Sequence, residues 1–312
     1  MIVILAICVI LSIGYWKVGN YFYDFSLNPK IEKDFILGDA EQMEIQKEWL
    51  KEQISWLDNV STDVHIKSTN NGNLNLHAYE IGSIIDSDVW VIVIHGYMSQ
   101  GNEMTRYGQQ FYARGYNVLM PDLRGHGLSE GDYIGMGWHD RLDIIDWINY
   151  ILEKNPDSKI MLFGVSMGAA TTMMTTGEPL PDNVKLAISD CGYSSVWDEF
   201  SYQLKQLYYL PEFPALYAAN SACKKNANYS FKEASAVEQV KKSKTPTLFI
   251  HGSADTFVPF KMLDVVYDAA TCEKEKLVVE DAGHGLSSIV NPGLYWDTVD
   301  GFIGKYLSSG VY

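Results

Sequence analysis

The stretch FGVSMG, residues 163–168, sets one serine between two glycines directly after the apolar run IMLF. A serine hydroxyl attacks an acyl carbon only when a base removes its proton. It is reachable for that purpose when a sharp strand-to-helix turn holds it out, and glycines on either side give the turn the room it needs. The run MGAATTMM that follows Ser166 is rich in small residues and can open a helix. The base expected for Ser166 is His284, in EDAGHG, which follows the last apolar strand pattern. An imidazole acting as base needs a carboxylate to fix its tautomer and to stabilise the cation it becomes. Asp255, at the end of FIHGSAD, is the leading candidate, and Asp190, at the end of the preceding strand pattern, is its rival. Oxygen that turns negative during attack needs donors. The backbone N–H of Met167 is one, and that of Tyr97, in the turn after VIVIHG, is the other.

The remaining histidines carry less. His95 and His251 each stand in an HG pair after a strand pattern, and His126 stands in RGHG; turn shaping accounts for all three. His65 and His77 lie by an early hairpin and His139 opens a helix, so a structural role is expected for each. In DLRGHGLSEG, Asp122 and Arg124 are read as loop residues that satisfy local backbone groups. The four cysteines, Cys8, Cys191, Cys223 and Cys272, show no CxxC spacing and are expected as free thiols. Neither a metal nor a cofactor is called for.

Residues this far apart converge only if a sheet brings them together. Six apolar strand patterns run along the chain, at 89–96, 116–127, 159–168, 185–192, 246–255 and 275–285, with helical spacing between them. Apolar strands alternating with helices predict a mostly parallel sheet covered on both faces. Such sheets place their sites at the carboxyl ends of the strands, where Ser166, Asp255 and His284 all fall. Two alternating runs around Asn71-Gly72 predict a hairpin that extends one edge. Residues 197–243 break the rhythm with a long segment rich in Tyr and Phe, and are expected to form a helical lid. Its Tyr202, Tyr208, Tyr209, Phe213 and Tyr217 are candidates to line a pocket for an apolar acyl or aryl group.

The chain has 312 residues, of which 47% are hydrophobic, enough for a large core. A net charge of −15 repels phosphate backbones and argues against a nucleic-acid partner. MIVILAICVILSIGYW at the start is apolar apart from Ser12 and Gly14, and aromatic residues follow it. A membrane anchor at the cell surface is the leading expectation for residues 1–24. A signal segment cut after SIG, which would leave a secreted protein, and a helix buried in the core are the alternatives. Residues 25–60, with Ile45, Trp49 and Ile54 near one face, are expected as a helical linker, and 61–312 as the main domain.

Taken together, IHGYMSQ, PDLRGHGLSEG, GVSMGAA, HGSADTFVP and AGHG resemble the α/β-hydrolase superfamily over about residues 60–308. Within it the chain is similar to bacterial membrane-anchored or cell-surface serine hydrolases, with carboxylesterases, cinnamoyl esterases and serine aminopeptidases as relatives. Gly285 after His284 is one departure, since relatives often carry alanine or a larger residue there. The resemblance implies an α/β-hydrolase fold with a helical lid, and Ser166, Asp255 and His284 as nucleophile, acid and base. It also implies Tyr97 and Met167 as oxyanion donors. A serine rather than an aspartate at the nucleophile position argues against dehalogenase chemistry. Cleavage of a small carboxylic ester through an acyl-enzyme is the expected activity. Peptide cleavage or acyl transfer on the same residues is the alternative, and a non-catalytic surface binding protein is the more distant one.

Overall fold

The long Val- and Ile-rich runs form the middle of an eight-stranded sheet in the computed structural model, which describes residues 2–31, 33, 54–70 and 72–307. β1 (Thr62–Lys67) and β2 (Asn75–Ile81) make the early hairpin. They are followed by β3 (Val89–Ile94), β4 (Asn117–Pro121), β5 (Lys159–Val165), β6 (Val184–Asp190), β7 (Thr247–Gly252) and β8 (Lys274–Val279). The spatial order is β1-β2-β4-β3-β5-β6-β7-β8. β1 and β2 pair antiparallel, as do β2 and β4, and every other pairing is parallel. The six apolar strand patterns are therefore the parallel part and the hairpin is its antiparallel edge. In the hairpin Lys67 pairs with Asn75, and Ser68 N–H donates to the Leu74 carbonyl, so the connection is longer than a two-residue turn. Asn71 lies outside the described residues, and Gly72 takes φ +116°.

Helices cover both faces. α2 (residues 54–60), α3 (Thr105–Ala113) and α11 (Pro292–Leu307) lie on one. There Leu57, Phe111, Tyr295 and Phe302 meet Val91, Val93 and Phe163 of the sheet. On the other face α4 (Asp140–Lys154), α5 (Met167–Thr176) and α9 (Lys261–Ala269) bring Trp147, Met174 and Val266 against Ile92, Leu162 and Phe249. α10 (Ser287–Val290) is a single turn before α11.

Between β6 and β7 the chain makes α6 (Val196–Tyr208), α7 (Ala215–Asn226) and α8 (Ala236–Val240), at the place where a lid was expected. α6 starts on an N-cap, Ser195, whose hydroxyl accepts from the Asp198 N–H at 3.0 Å.

α1 (Ile2–Leu27) runs unbroken past residue 24. Its second half crosses α7 closely: a Cβ on Gly19 would meet the carbonyl oxygen of Ala218 at 2.5 Å. Tyr15 and Ser221 hydroxyls hydrogen-bond at 2.9 Å, and the Lys225 ammonium lies over the Trp16 ring. Ile134 N–H donates to the Leu27 carbonyl at 2.8 Å, which ties the end of α1 to the domain. Buried Tyr23 and Leu27 belong to the core, whereas Leu5, Val9, Ile10, Leu11 and Ile13 are exposed. Among the described residues, no helix is long and apolar enough to cross a membrane. Ile45 and Trp49 of the expected linker lie outside the described residues; Ile54 begins α2.

Candidate active site

β5 ends at Val165 and α5 begins at Met167, so Ser166 is the whole turn between them. It takes φ 57° and ψ −118°, a backbone conformation that costs a non-glycine residue about 1–3 kcal/mol. The neighbourhood enforces it. A Cβ on Gly164 would collide with the Gly168 carbonyl, and one on Gly168 with the Ile94 carbonyl, so helix and strands approach at backbone distance. Ser166 N–H donates to the Asp190 carbonyl at 2.9 Å, which anchors the corner to β6.

His284 Nε2 lies 2.8 Å from Ser166 Oγ, and His284 Nδ1 lies 2.8 Å from Asp255 Oδ2. A carboxylate only accepts, so Nδ1 carries the proton and the free Nε2 accepts from the serine hydroxyl. Asp255 is buried and held from several sides. Its Oδ1 accepts from the N–H groups of Phe257 at 2.9 Å and Val258 at 3.0 Å. Its Oδ2 takes a second imidazole, His251 Nε2, at 3.1 Å. Burial raises the pKa of Asp255, but the hydrogen bonds from His251 and His284 outweigh it and hold the carboxyl at about 2. The Phe257 ring lies 4.9 Å from the His284 ring and limits its movement.

The rival carboxylate has a different partner. Asp190 Oδ2 accepts from the Tyr295 hydroxyl at 2.9 Å, and burial pushes the group up to about 6. Its backbone carbonyl holds the Ser166 turn, while its side chain faces away to α11.

Met167 opens α5, where the first N–H groups have no acceptor within the helix. Tyr97 follows Gly96, whose position backs directly onto the serine: a Cβ there would lie 3.4 Å from Ser166 Cβ. The Tyr97 hydroxyl donates to the Ser26 carbonyl, so α1 holds this turn too.

Of the histidines expected in structural roles, His77, His95, His126, His139 and His251 are buried in the frame, whereas His65 is exposed. His95 donates from Nδ1 to the Gly96 carbonyl and accepts at Nε2 from Leu123 N–H, which ties the β3 turn to the β4 turn. His77 sits between Asp122 and Asp63, at 2.8 and 2.9 Å. Burial alone would lower its pKa; the hydrogen bonds and charges of the two carboxylates outweigh it and raise it. Asp122 also accepts from Gly101 N–H and Leu128 N–H, as the loop reading expected. Arg124 forks onto Asp143 of α4 at 2.8 and 2.7 Å, a buried ion pair that the loop reading did not include. His251, expected only to shape a turn, also steadies Asp255. The four cysteines are free.

A cavity opens beside Ser166 and runs under α6. Phe200, Leu204, Leu207 and Leu216 of the lid line it, together with Phe22 and Phe25 of α1. Of the five aromatic lid residues expected there, Tyr208 lines it. Tyr209 and Phe213 point to solvent, and the Tyr202 hydroxyl donates to the Thr256 carbonyl. Helix geometry explains part of the difference: residues 200, 204 and 207 share one face of α6 and 202 lies off it, while Tyr209 stands past the helix end with φ 55°. Two polar residues of that helix, Glu199 and Gln203, also line the cavity. Glu199 and Gln203 were not singled out in the sequence, and the aromatic stretch of Phe22 and Phe25 was read as suited to a membrane interface, whereas both rings line the cavity. The i, i+4 spacing of Glu199 and Gln203 was the available signal.

Cys191, Asp255 and His284 place possible metal ligands within 4.8 Å of one another. The chemistry does not suit a metal. Burial raises the Cys191 thiol well above its ordinary pKa, leaving it neutral, and both His284 nitrogens are already engaged.

A family model described as alpha/beta hydrolase fold matches residues 89–210. The sheet, the lid position and this match give the chain the α/β-hydrolase fold. It is similar to the uncharacterized protein YqkD of Bacillus subtilis, 28% identical over 70% of this chain and 72% of that protein. With the uncharacterized protein YfhR of Escherichia coli strain K12 it shares 24% identity over 62% of each. Among solved structures, an esterase of Pyrococcus furiosus, Pf2001, superposes with a TM-score of 0.65 at 26% identity. That likeness covers 81% of this chain and 93% of the esterase. The Pyrococcus horikoshii acylaminoacyl peptidase, at 20% identity and a TM-score of 0.55, shares the fold; 78% of this chain matches 41% of the peptidase chain.

Proposed function

We propose that the protein is a serine hydrolase that cleaves carboxylic esters of apolar acyl groups through an acyl-enzyme. The observation that carries this reading is the unbroken hydrogen-bonded line from Ser166 through His284 to Asp255, at 2.8 Å each. His284 Nε2 takes the serine proton as Oγ bonds to the ester carbonyl carbon. The carbonyl oxygen becomes negative and lies against the N–H groups of Met167 and Tyr97; losing one such donor typically costs about 3–4 kcal/mol in the barrier. When the C–O bond to the alcohol breaks, the alkoxide takes the proton back from His284. Water then repeats the attack on the acyl-serine, with His284 as base again, and releases the carboxylic acid and free Ser166. Asp255 stays ionised throughout and stabilises the imidazolium. The Phe- and Leu-lined cavity beside Ser166 accommodates the acyl chain and offers little to a charged one.

Labelling with a fluorophosphonate tests the reading. The expected adduct is on Ser166, and Ser166→Ala should lower ester turnover by at least about a thousandfold with an unchanged fold. An unlabelled Ser166 in folded protein would end the proposal. Peptidase or acyl-transfer activity uses the same intermediate, and product analysis with aminoacyl amides and alcohol acceptors separates it from ester hydrolysis.

The exposed apolar residues Leu5, Val9, Ile10, Leu11 and Ile13 near the start of α1 support attachment of this end to a membrane at the cell surface. Flotation of the full chain with phosphatidylcholine vesicles tests that. Recovery in the unbound fraction would remove it.

A further inference from the structure

Glu199 is out of place in the cavity. It sits on the face of α6 that carries Phe200, Leu204 and Leu207, and it is 4% exposed. Its Oε1 accepts from Gln203 Nε2 at 2.9 Å, and the same amide nitrogen also donates to the Phe257 carbonyl at 2.9 Å. Gln203 is thereby fixed, and its donors are used. The other carboxyl oxygen, Glu199 Oε2, is buried and has no hydrogen-bond partner among the described residues.

A buried polar atom left without a partner is costly, and folded proteins seldom keep one. Helix stabilisation does not account for it. An acid near a helix N-terminus helps when it is charged. Burial, assisted by the charges of Asp255 and Asp198 against the opposing hydrogen bond from Gln203, holds Glu199 up at about 8. The group is therefore a neutral carboxylic acid at pH 7. With Oε1 accepting from Gln203, the proton sits on Oε2. The result is a hydroxyl donor without an acceptor among the described residues, in a pocket walled mostly by apolar groups such as Phe22, Phe25, Phe200, Leu204 and Leu207.

We propose that Glu199 sets the specificity of this pocket, and that the acyl chain it takes carries an oxygen acceptor, an oxo or hydroxyl group, to which Glu199 Oε2–H donates. This deepens the ester-hydrolase reading and rests on it for the acyl nature of the ligand. An unsubstituted chain fills the same space but leaves the donor unmade. Discrimination of this kind arises because the site, not the ligand, pays for the missing bond. Gln203 acts as a positioning residue: it fixes which oxygen of Glu199 faces the ligand.

The experiment measures binding in the Ser166→Ala protein, where turnover does not intervene. The probes are decanoyl methyl ester and its isomers with an oxo group at successive chain carbons, titrated by tryptophan fluorescence at pH 7. At least one oxo position should bind about tenfold more tightly than the unsubstituted ester. Glu199→Met should reduce that ratio to within about twofold of unity, whereas Glu199→Gln, which keeps an N–H donor, should preserve most of it. Near-UV circular dichroism confirms that each variant is folded. The proposal is overturned if no oxo position gains more than about threefold, or if the gain survives in Glu199→Met. Failure of the wild-type protein to label at Ser166 would instead overturn the acyl-enzyme reading, and the binding ratio would still report whether Glu199 selects an oxygenated chain.

Discussion

At the scale of single residues, Asp255 shows how much support one carboxylate receives. Two backbone N–H groups and two imidazoles converge on it in a buried position. Its pKa falls from 3.8 to about 2, so ionised Asp255 stabilises the fold above the unfolded value. That contribution, about 2 kcal/mol, disappears as pH drops from about 4 to 2. Asp255→Asn should therefore lower stability at pH 7 and differ much less from wild type near pH 2, as read by urea unfolding at both pH values. The same variant should lose ester turnover by about ten-thousandfold, because an amide no longer holds His284 in the proton-accepting tautomer. Of the site residues, Ser166 and His284 are legible in the sequence because their signal is local: a glycine-fenced serine after an apolar run, and a histidine in a glycine-rich loop after the last strand. The choice of Asp255 over Asp190 rested on chain order; geometry shows the reason, since Tyr295 from a helix a hundred residues away occupies Asp190.

At the scale of elements, α1 has two ends with different jobs. Its first half exposes Leu5, Val9, Ile10, Leu11 and Ile13, and its second half lies in the crossing with α7 and supplies Phe22, Phe25 and Ser26 to the cavity. The Phe22 and Phe25 rings meet Tyr208 of the lid edge-on at 5.3 and 5.8 Å. Apolar periodicity in the sequence is enough to predict a helix or a span here, but it does not say what the helix packs against. Residues 1–24 consequently read as separable, whereas the helix continues through them into the pocket wall. Gly19→Val should push α1 off α7 by colliding with the Ala218 carbonyl. Removing part of the apolar wall costs long chains roughly 1–3 kcal/mol of binding. The expected result is a tenfold or larger fall in kcat/KM for decanoyl esters. Acetyl esters, which do not reach the wall, should change by less than about threefold. Equal losses for both would show that α1 supports the fold rather than the acyl site.

At the scale of the whole molecule, buried ionisable groups shape the response to pH with opposite signs. Glu199 is neutral in the fold and ionises near 8, against about 4.5 when unfolded. Across that window the unfolded chain has released a proton that the native one retains, so stability falls as pH rises, by up to about 1.4 kcal/mol per pH unit. His126 works the other way. Burial lowers it from 6.5 to about 3, so the unfolded chain takes up a proton that the native one refuses, and stability falls as pH drops below 6.5. Glu199→Gln should therefore gain on wild type steadily from pH 5 to pH 8, in chemical unfolding followed by fluorescence. A difference between the two that stays constant with pH would mean that the carboxyl is ionised in the native state.

What the sequence by itself determined is the set of elements and the order of the reactive residues along them. Val- and Ile-rich runs buried on both faces, helical spacing between them and the G-x-S-x-G corner are all patterns within a few residues, and backbone geometry converts each directly into a strand, a helix or a turn. The tertiary structure alone decided what occupies Asp190, which face of α6 looks inward, and that His251 and α1 serve the site. Those outcomes depend on contacts between segments up to two hundred residues apart. Side chains at such distances in the chain become neighbours only when the sheet is assembled and its layers are packed.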